Sequence, residues 1–168
     1  MLPFAGSTLL QTLIDRYAAF GMVGVSVDRA GRFAFRNAAE LADAYPGQGP
    51  LNGIVSGFRM TDAQELLLTA VDLPYGDPAL ALRLCEMRAD ADVCVLRRGV
   101  KGIEPLFAVY ARSCALVAED CLRNERRTLL AVFDRVKARY VAPEELPGFD
   151  LARIFTNVNT PQDYQMLK

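Results

Sequence analysis

The sequence has 168 residues, of which 52% are hydrophobic and 23% charged, the proportions of one ordinary globular domain large enough for a sizeable core. Its 19 Lys and Arg against 20 Asp and Glu leave a net charge of −1, which provides no basic field for nucleic acid or a membrane surface. The absence of histidine removes Ser/His/Asp triads and Cys/His zinc sets together.

Met1-Leu2-Pro3-Phe4 has neither a basic region nor a long apolar run, and no stretch approaches about 18 consecutive apolar residues, which predicts a cytoplasmic chain that spans no membrane. Ser7 is placed to cap a helix whose apolar positions Leu9, Leu10, Leu13, Ile14 and Tyr17 follow helical spacing, with Gly21 as its stop. Met22 to Val27 reads as a short strand. A polar, alanine-rich stretch leads to the turn chemistry of Tyr45-Pro46-Gly47-Gln48-Gly49-Pro50, and a helix is expected from Leu51 to about Met60. Glu65 to Val71 has the length and apolar continuity of a strand buried on both faces, with Asp72 at its carboxyl end. Asp77-Pro78 starts a helix that runs to about Arg88.

Asp92 to Arg98 and Ile103 to Tyr110 read as strands flanking a turn at Gly99 and Gly102. Ser113 is expected to cap a following helix, and Glu125 to Val136 to continue helical. Arg139 to Val141 and Ile154 to Val158 are further strand candidates, and Thr160-Pro161 opens a last helix with Asp163 in its first turn. The cysteines Cys85, Cys94, Cys114 and Cys121 show no C-x-x-C spacing. Cys114 and Cys121, on one helix, would lie about 10 Å apart along its axis, too far for a disulfide, so they read as reduced thiols. Strands alternating with helices predict an α/β fold, a three-layer α/β/α sandwich of Rossmann-like type around a mostly parallel sheet. Without repeats, low-complexity segments or linkers, residues 1–168 read as a single domain.

In such sheets ligands lie beyond the carboxyl ends of the strands. Three groups fall there. Gly49-Pro50-Leu51-Asn52-Gly53 is either a loop whose glycines let a ligand approach the backbone at a helix start or a plain strand-to-helix turn. Asp72 in Val71-Asp72-Leu73-Pro74 is either a carboxylate for a hard cation or a turn residue. Asn157-Val158-Asn159-Thr160-Pro161 either presents both asparagines on one side of a strand or serves as a helix cap.

Taken together and in this order, these groups resemble the motifs of molybdenum cofactor guanylyltransferases. That family carries D-x-Y-P-G-x-G-P-L-x-G, a buried strand ending in aspartate before x-P, a strand ending P-L-F-A-L-Y, paired arginines and a closing N-x-N-T-P-x-[DE]. Here the corresponding segments are Asp43 through Gly53, Asp72 with Pro74, Pro105 through Tyr110, Arg126 with Arg127, and Asn157 through Asp163. The resemblance implies a nucleotidyltransferase that moves GMP from GTP to molybdopterin, giving the guanine dinucleotide and pyrophosphate. Asp72 would hold the catalytic Mg²⁺. Ser26, Asp43, Gly49, Pro50, Leu51 and Gly53 would join Asp72 in binding the nucleotide, Asp43 at the guanine and Ser26 where the family usually has asparagine. Asn157, Asn159, Arg126 and Arg127 would serve the molybdopterin side.

The implied partners are small molecules, GTP and molybdopterin, with molybdoenzymes or other cofactor-biosynthesis proteins beside them. Transfer of CMP or another nucleotide, transfer to a sugar phosphate, and a catalytically inactive binding homologue are the alternatives. The sequence departs from the family by Glu104 before the proline, by Asn52 in the glycine loop, and by lacking the opening L-A-G-G-x-S-x-R-M-G-x-D-K. Loss of that strand, loop and lysine predicts sheet edges with unpaired backbone groups, weak GTP binding and no transfer by the chain as written.

Overall fold

The computed structural model describes residues 3–4, 7–99 and 102–167. β1 (Pro3–Phe4) and β2 (Ser7–Thr8) form a short antiparallel pair that leads into α1 (Leu9–Tyr17). The cap is Thr8 rather than Ser7: its hydroxyl accepts from the Gln11 N–H at 3.1 Å. After Gly21, at φ 106°, come β3 (Gly24–Val27) and β4 (Ala39–Ala42), which pair in parallel with Ser26 opposite Leu41. α2 (Leu51–Arg59), β5 (Glu65–Thr69) and α3 (Pro78–Arg88) follow. The Asp77 carboxylate caps α3 by accepting from Ala79 N–H at 2.8 Å, and Pro78 occupies the first turn, as its missing donor favours.

β6 (Val93–Arg98) and β7 (Gly102–Ala111) form a hairpin with a register shift between Val95 and Arg97. Gly99 enters the connection at φ 63°, and the middle of the expected turn lies outside the described residues. α4 (Cys114–Arg123) runs on to Glu125, whose φ of 58° turns the chain, so the helix expected over Glu125 to Val136 survives only as α5 (Leu130–Phe133). β8 (Ala138–Val141), α6 (Leu151–Ile154) and α7 (Pro161–Gln165) complete the order. The strand expected over Ile154 to Val158 is not formed. Asp150 caps α6 through Arg153 N–H at 3.1 Å, which draws Ile154 into that helix, and residues 156–159 join no ladder.

The larger sheet has the order β5-β7-β6-β8. β5, β6 and β8 run in one direction and β7 against them, since β7 is antiparallel to both neighbours and β6 is parallel to β8. Side chains alternate between its two faces. Val93, Val95, Ala108 and Tyr110 pack with α2, α4 and α5 on one side, while Cys94, Leu96, Phe107 and Val109 pack with α1, α3 and α6 on the other. These are the three layers of an α/β sandwich. Leu80 and Leu84 of α3 and Ile54 of α2 are fully buried, each worth about 1.5–3 kcal/mol of apolar burial. Arg112 ties down the far end of α2, donating to the carbonyls of Phe58, Thr61 and Ala63 at 3.0, 3.1 and 2.7 Å. Among the described residues β3 pairs only with β4 and β5 only with β7, so each presents one unpaired edge.

Candidate active site

β3 and β4 bring their carboxyl ends together because their register is parallel, and the ladder runs one step further through Asp43 N–H to Val27 O at 2.8 Å. That step sets Asp43 beside Ser26, whose hydroxyl donates to Asp43 Oδ1 at 2.5 Å. The two residues expected near a base therefore meet, with Ser26 exposed and Asp43 half-buried.

The chain then enters the glycine loop, where Gly47 and Gly49 have φ of 75° and 77°, a region that residues with a Cβ rarely adopt. Asn52 closes the loop on itself: its Oδ1 accepts from Tyr45 N–H at 2.9 Å and its amide donates to Tyr45 O at 2.5 Å. Ser56 Oγ, one turn further along α2, accepts from Ala44 N–H at 3.1 Å. Asn52 and Ser56 are the buried polar residues of α2; sequence reasoning noted Asn52 only as a departure from the family and passed over Ser56. A polar pair four residues apart on an otherwise apolar helix face was the signal for them.

The loop residues divide by role. Gly49 and Pro50 are exposed. Leu51 is fully buried in the core, and Gly53 lets α2 approach β5, since a Cβ there would stand 2.8 Å from Leu68 Cδ1. The N–H groups of Asn52 and Gly53 are engaged within the loop, donating to Gly49 O at 3.1 Å and Pro50 O at 3.0 Å.

Asp72 follows β5 on a turn in which Leu73 N–H donates to Ala70 O at 3.4 Å. Buried Leu73 anchors the turn, and Arg16 Nη1 clamps its far side by donating to Pro74 O at 2.5 Å and Gly76 O at 3.1 Å. The Asp72 carboxylate is half-buried and takes part in no hydrogen bond or ion pair among the described residues. Among those residues no three His, Cys, Asp or Glu side chains gather as a metal cage. An ion at Asp72 would therefore draw its remaining oxygens from phosphates and water.

The closing motif reaches this turn through its backbone, with Val158 N–H donating to Asp72 O at 2.9 Å. Asn157 and Asn159 flank that bond and are exposed. Asp163 accepts from the N–H groups of Asn159 at 3.0 Å and Thr160 at 2.9 Å, while the Thr160 hydroxyl accepts from Asp163 N–H at 3.1 Å, a reciprocal cap. Hydrogen bonding with Thr160, and then with those two N–H groups, holds the Asp163 carboxyl below its ordinary range.

Arg126 and Arg127 are exposed in the turn after α4, Arg126 paired with Asp134 at 3.2 Å. The backbone of Arg127 abuts the glycine loop: a Cβ on Gly49 would lie 3.8 Å from Arg127 O. Of the arginine pair expected on the molybdopterin side, Arg127 thus has its backbone against the glycine loop. A cleft lined by Arg16, Tyr75, Asp77, Asp150 and Arg153 opens beyond the Asp72 turn. Its charged groups serve local structure: Asp77 and Asp150 cap helices, Arg16 clamps carbonyls, and the Arg153 guanidinium lies 5.0 Å from the Tyr75 ring centre.

A layered α/β sandwich with its aspartates and glycine loop beyond the strand ends has the ligand site of the α/β nucleotide-binding class, and the family match makes it a nucleotidyltransferase. Residues 1–139 match the family model of the MobA-like NTP transferase domain, and the chain belongs to that family. It is 31% identical over 168 residues to a probable molybdenum cofactor guanylyltransferase of Carboxydothermus hydrogenoformans, covering 99% of this chain and 85% of the relative. A probable molybdenum cofactor guanylyltransferase of Pelotomaculum thermopropionicum is 35% identical over 124 residues, 73% of this chain and 60% of that protein's length. In structure the chain is similar to molybdopterin-guanine dinucleotide biosynthesis protein A of Archaeoglobus fulgidus, with a TM-score of 0.83 at 24% identity over 99% of this chain and 86% of that one. Among the described residues no helix is long and apolar enough to cross a membrane.

Proposed function

We propose that this chain acts in the transfer of GMP from GTP to molybdopterin, with release of pyrophosphate. The observation that carries the reading is the hydrogen bond from Val158 N–H to Asp72 O, which draws the segment bearing the closing asparagines to the Asp72 turn beyond β5. Ser26 and Asp43 form an acceptor-rich corner at the end of β3 and β4, suited to the N1–H and 2-amino donors of guanine. The glycine loop, with Gly49 and Pro50 exposed and Leu51 and Gly53 anchoring it to the core, borders the path of the phosphates, with Arg126 and Arg127 on its rim.

The Asp72 carboxylate, unpartnered among the described residues, is a hard oxygen donor and fits Mg²⁺. When bound, the ion neutralises phosphate charge as it develops. An oxygen of the molybdopterin phosphate attacks the α-phosphorus of GTP in line, the bond to the β-phosphate breaks, and pyrophosphate leaves. This chemistry asks the protein for position and electrostatics rather than a nucleophile, in keeping with a chain without histidine. Asn157 and Asn159 supply amide donors and acceptors on the acceptor side.

The test is incubation with Mg²⁺, molybdopterin and GTP, CTP or ATP in turn, followed by chromatography of the products. Guanine dinucleotide formed with GTP alone supports the reading. A cytosine dinucleotide would move the chain to CMP transfer, and nucleotide binding without any product would make it a binding homologue.

A further inference from the structure

Tyr45 stands at the head of the glycine loop, and its ring leaves that loop for another helix. Its hydroxyl donates to Glu119 Oε1 of α4 at 2.9 Å, across 74 residues of sequence. The same oxygen accepts from Arg59 Nη2 at the end of α2 at 2.7 Å and from Arg123 Nη2 at 2.5 Å. Arg123 Nε donates to the Tyr45 hydroxyl oxygen at 3.4 Å, and the Arg59 guanidinium lies 5.6 Å from the centre of the Tyr45 ring. The Glu119 side chain is only 16% exposed, although Leu116, one turn earlier on the same helix, is 78% exposed. Hydrogen bonding from Tyr45, then the charges of Arg59 and Arg123, hold its carboxyl below the ordinary range.

An isolated surface ion pair contributes little, because two long side chains lose freedom for one screened contact. Here one carboxylate oxygen collects a phenol and two guanidiniums from α2, α4 and the loop, so each contact helps to fix the others. The loop is then held from both sides. Asn52 and Ser56 tie the backbone of residues 44–45 to α2, and Glu119 ties the Tyr45 ring to α4. Between these ties lie Gly47 and Gly49, the residues with the most freedom to lose when a ligand orders the loop.

We infer that Glu119 is a positioning residue for nucleotide binding: through Tyr45 it holds the loop of residues 45–50 in the conformation that receives the nucleotide. This rests on the reading of that loop as part of the nucleotide site. Glu119 touches no ligand itself. It lowers the ordering cost that binding would otherwise carry.

The test uses the full chain and three variants: Glu119→Ala, the conservative Glu119→Gln, and Tyr45→Phe, which removes the hydroxyl and keeps the ring beneath Arg59. Two readouts are needed, hydrogen exchange of the loop amides and calorimetric affinity for Mg²⁺ with GTP, CTP and ATP. The expected result is exchange at Gln48, Asn52 and Gly53 about tenfold faster in Glu119→Ala, with β6 amides unchanged. Affinity for the preferred nucleotide should weaken about tenfold. Tyr45→Phe should show the same changes at smaller size, and Glu119→Gln should restore part of both.

Unchanged loop exchange in Glu119→Ala and Tyr45→Phe would overturn the inference, as would a loosened loop with undiminished affinity. Preference for CTP or ATP would sink the guanine assignment and leave the positioning role standing. If the wild-type chain bound none of the three, both the function proposed above and the positioning role would fall.

Discussion

Val158 and Asp72 are joined by a backbone hydrogen bond of 2.9 Å, so the closing segment lies against the turn beyond β5 while the Asp72 carboxylate stays unpartnered among the described residues. Removing that charge should therefore spare the fold and strike the chemistry. In a chain carrying the family's opening L-A-G-G-x-S-x-R-M-G-x-D-K segment, Asp72→Asn is expected to retain the wild-type circular dichroism spectrum and melting temperature while transfer falls by roughly 100-fold or more, the usual scale for losing a charge-stabilising group. Wild-type turnover at saturating Mg²⁺ would make Asp72 a turn residue and nothing else.

The Ser26–Asp43 pair predicts base selectivity. Asp43→Asn replaces an acceptor with a donor on one of its two atoms, which faces the donor edge of guanine wrongly and leaves the phosphates untouched. GTP affinity should fall about 10- to 100-fold, the range of one or two charge-assisted hydrogen bonds. ATP affinity, measured in the same calorimeter, should stay within about twofold. Equal losses for both nucleotides would place Asp43 away from the base.

Asn52 predicts a stability effect. It is fully buried, and both its bonds go to the backbone of Tyr45. Asn52→Ala leaves that N–H without a protein partner and the carbonyl with only the Gln48 N–H at 3.2 Å, at a cost of about 2 kcal/mol. In a chain of this size that lowers the melting temperature by roughly 4–8 °C. A shift under about 1 °C would show that water replaces the amide fully.

How much of this was legible in the sequence depended on the range of the forces involved. Caps act over three or four residues, so Asp77-Pro78 and Thr160-Pro161 announced α3 and α7 correctly. The strand expected over Glu65 to Val71 was recognisable from its apolar run, but it ends at Thr69 and, as the edge of the larger sheet, has no fully buried residue, so the expectation of burial on both faces was wrong. β4 went unseen because Ala-Glu-Leu-Ala has weak strand character and is held by pairing with β3 across an irregular crossover. Ile154 to Val158 looked like a strand, yet the local cap at Asp150 claimed its first residue and no neighbouring strand was there to pair the rest. In the candidate site, Asp72 and the closing asparagines stood out by chemistry, and Asp43 by the resemblance to the family alone. The contact of Arg127 with Gly49 and the bond from Tyr45 to Glu119 cross the chain, and nothing local encodes them.

Asp163 predicts a response to acid. Its carboxyl is held below the ordinary value of 3.8, so the stability it lends the α7 cap is fully present above that value and is lost as pH falls through the lower folded one. The carboxyl carbon of Asp163, followed by NMR, should titrate with a midpoint below 3.8, and chemical shifts of the Asn159 and Thr160 amides should move with it. In Asp163→Asn the acid-induced movement of those amides should vanish. A midpoint at or above 3.8 would mean that the cap opens in solution.

The two glycines on the inner side of α2 set a length. Gly53 and Gly57 face Leu68 and Leu66 of β5 so closely that a methyl group on either would stand 2.8 or 2.9 Å from a leucine carbon. α2 begins where the glycine loop ends, and β5 ends where the Asp72 turn begins. The helix-to-strand gap therefore works as a gauge block between the two halves of the site. Alanine at Gly53 would gain helix propensity of about 1 kcal/mol, and leucine's flexible end can yield, so the fold tolerates the change. Whatever strain the leucine does not absorb widens the gap, and since transfer depends on alignment to within fractions of an ångström, to that extent the change would slow the reaction.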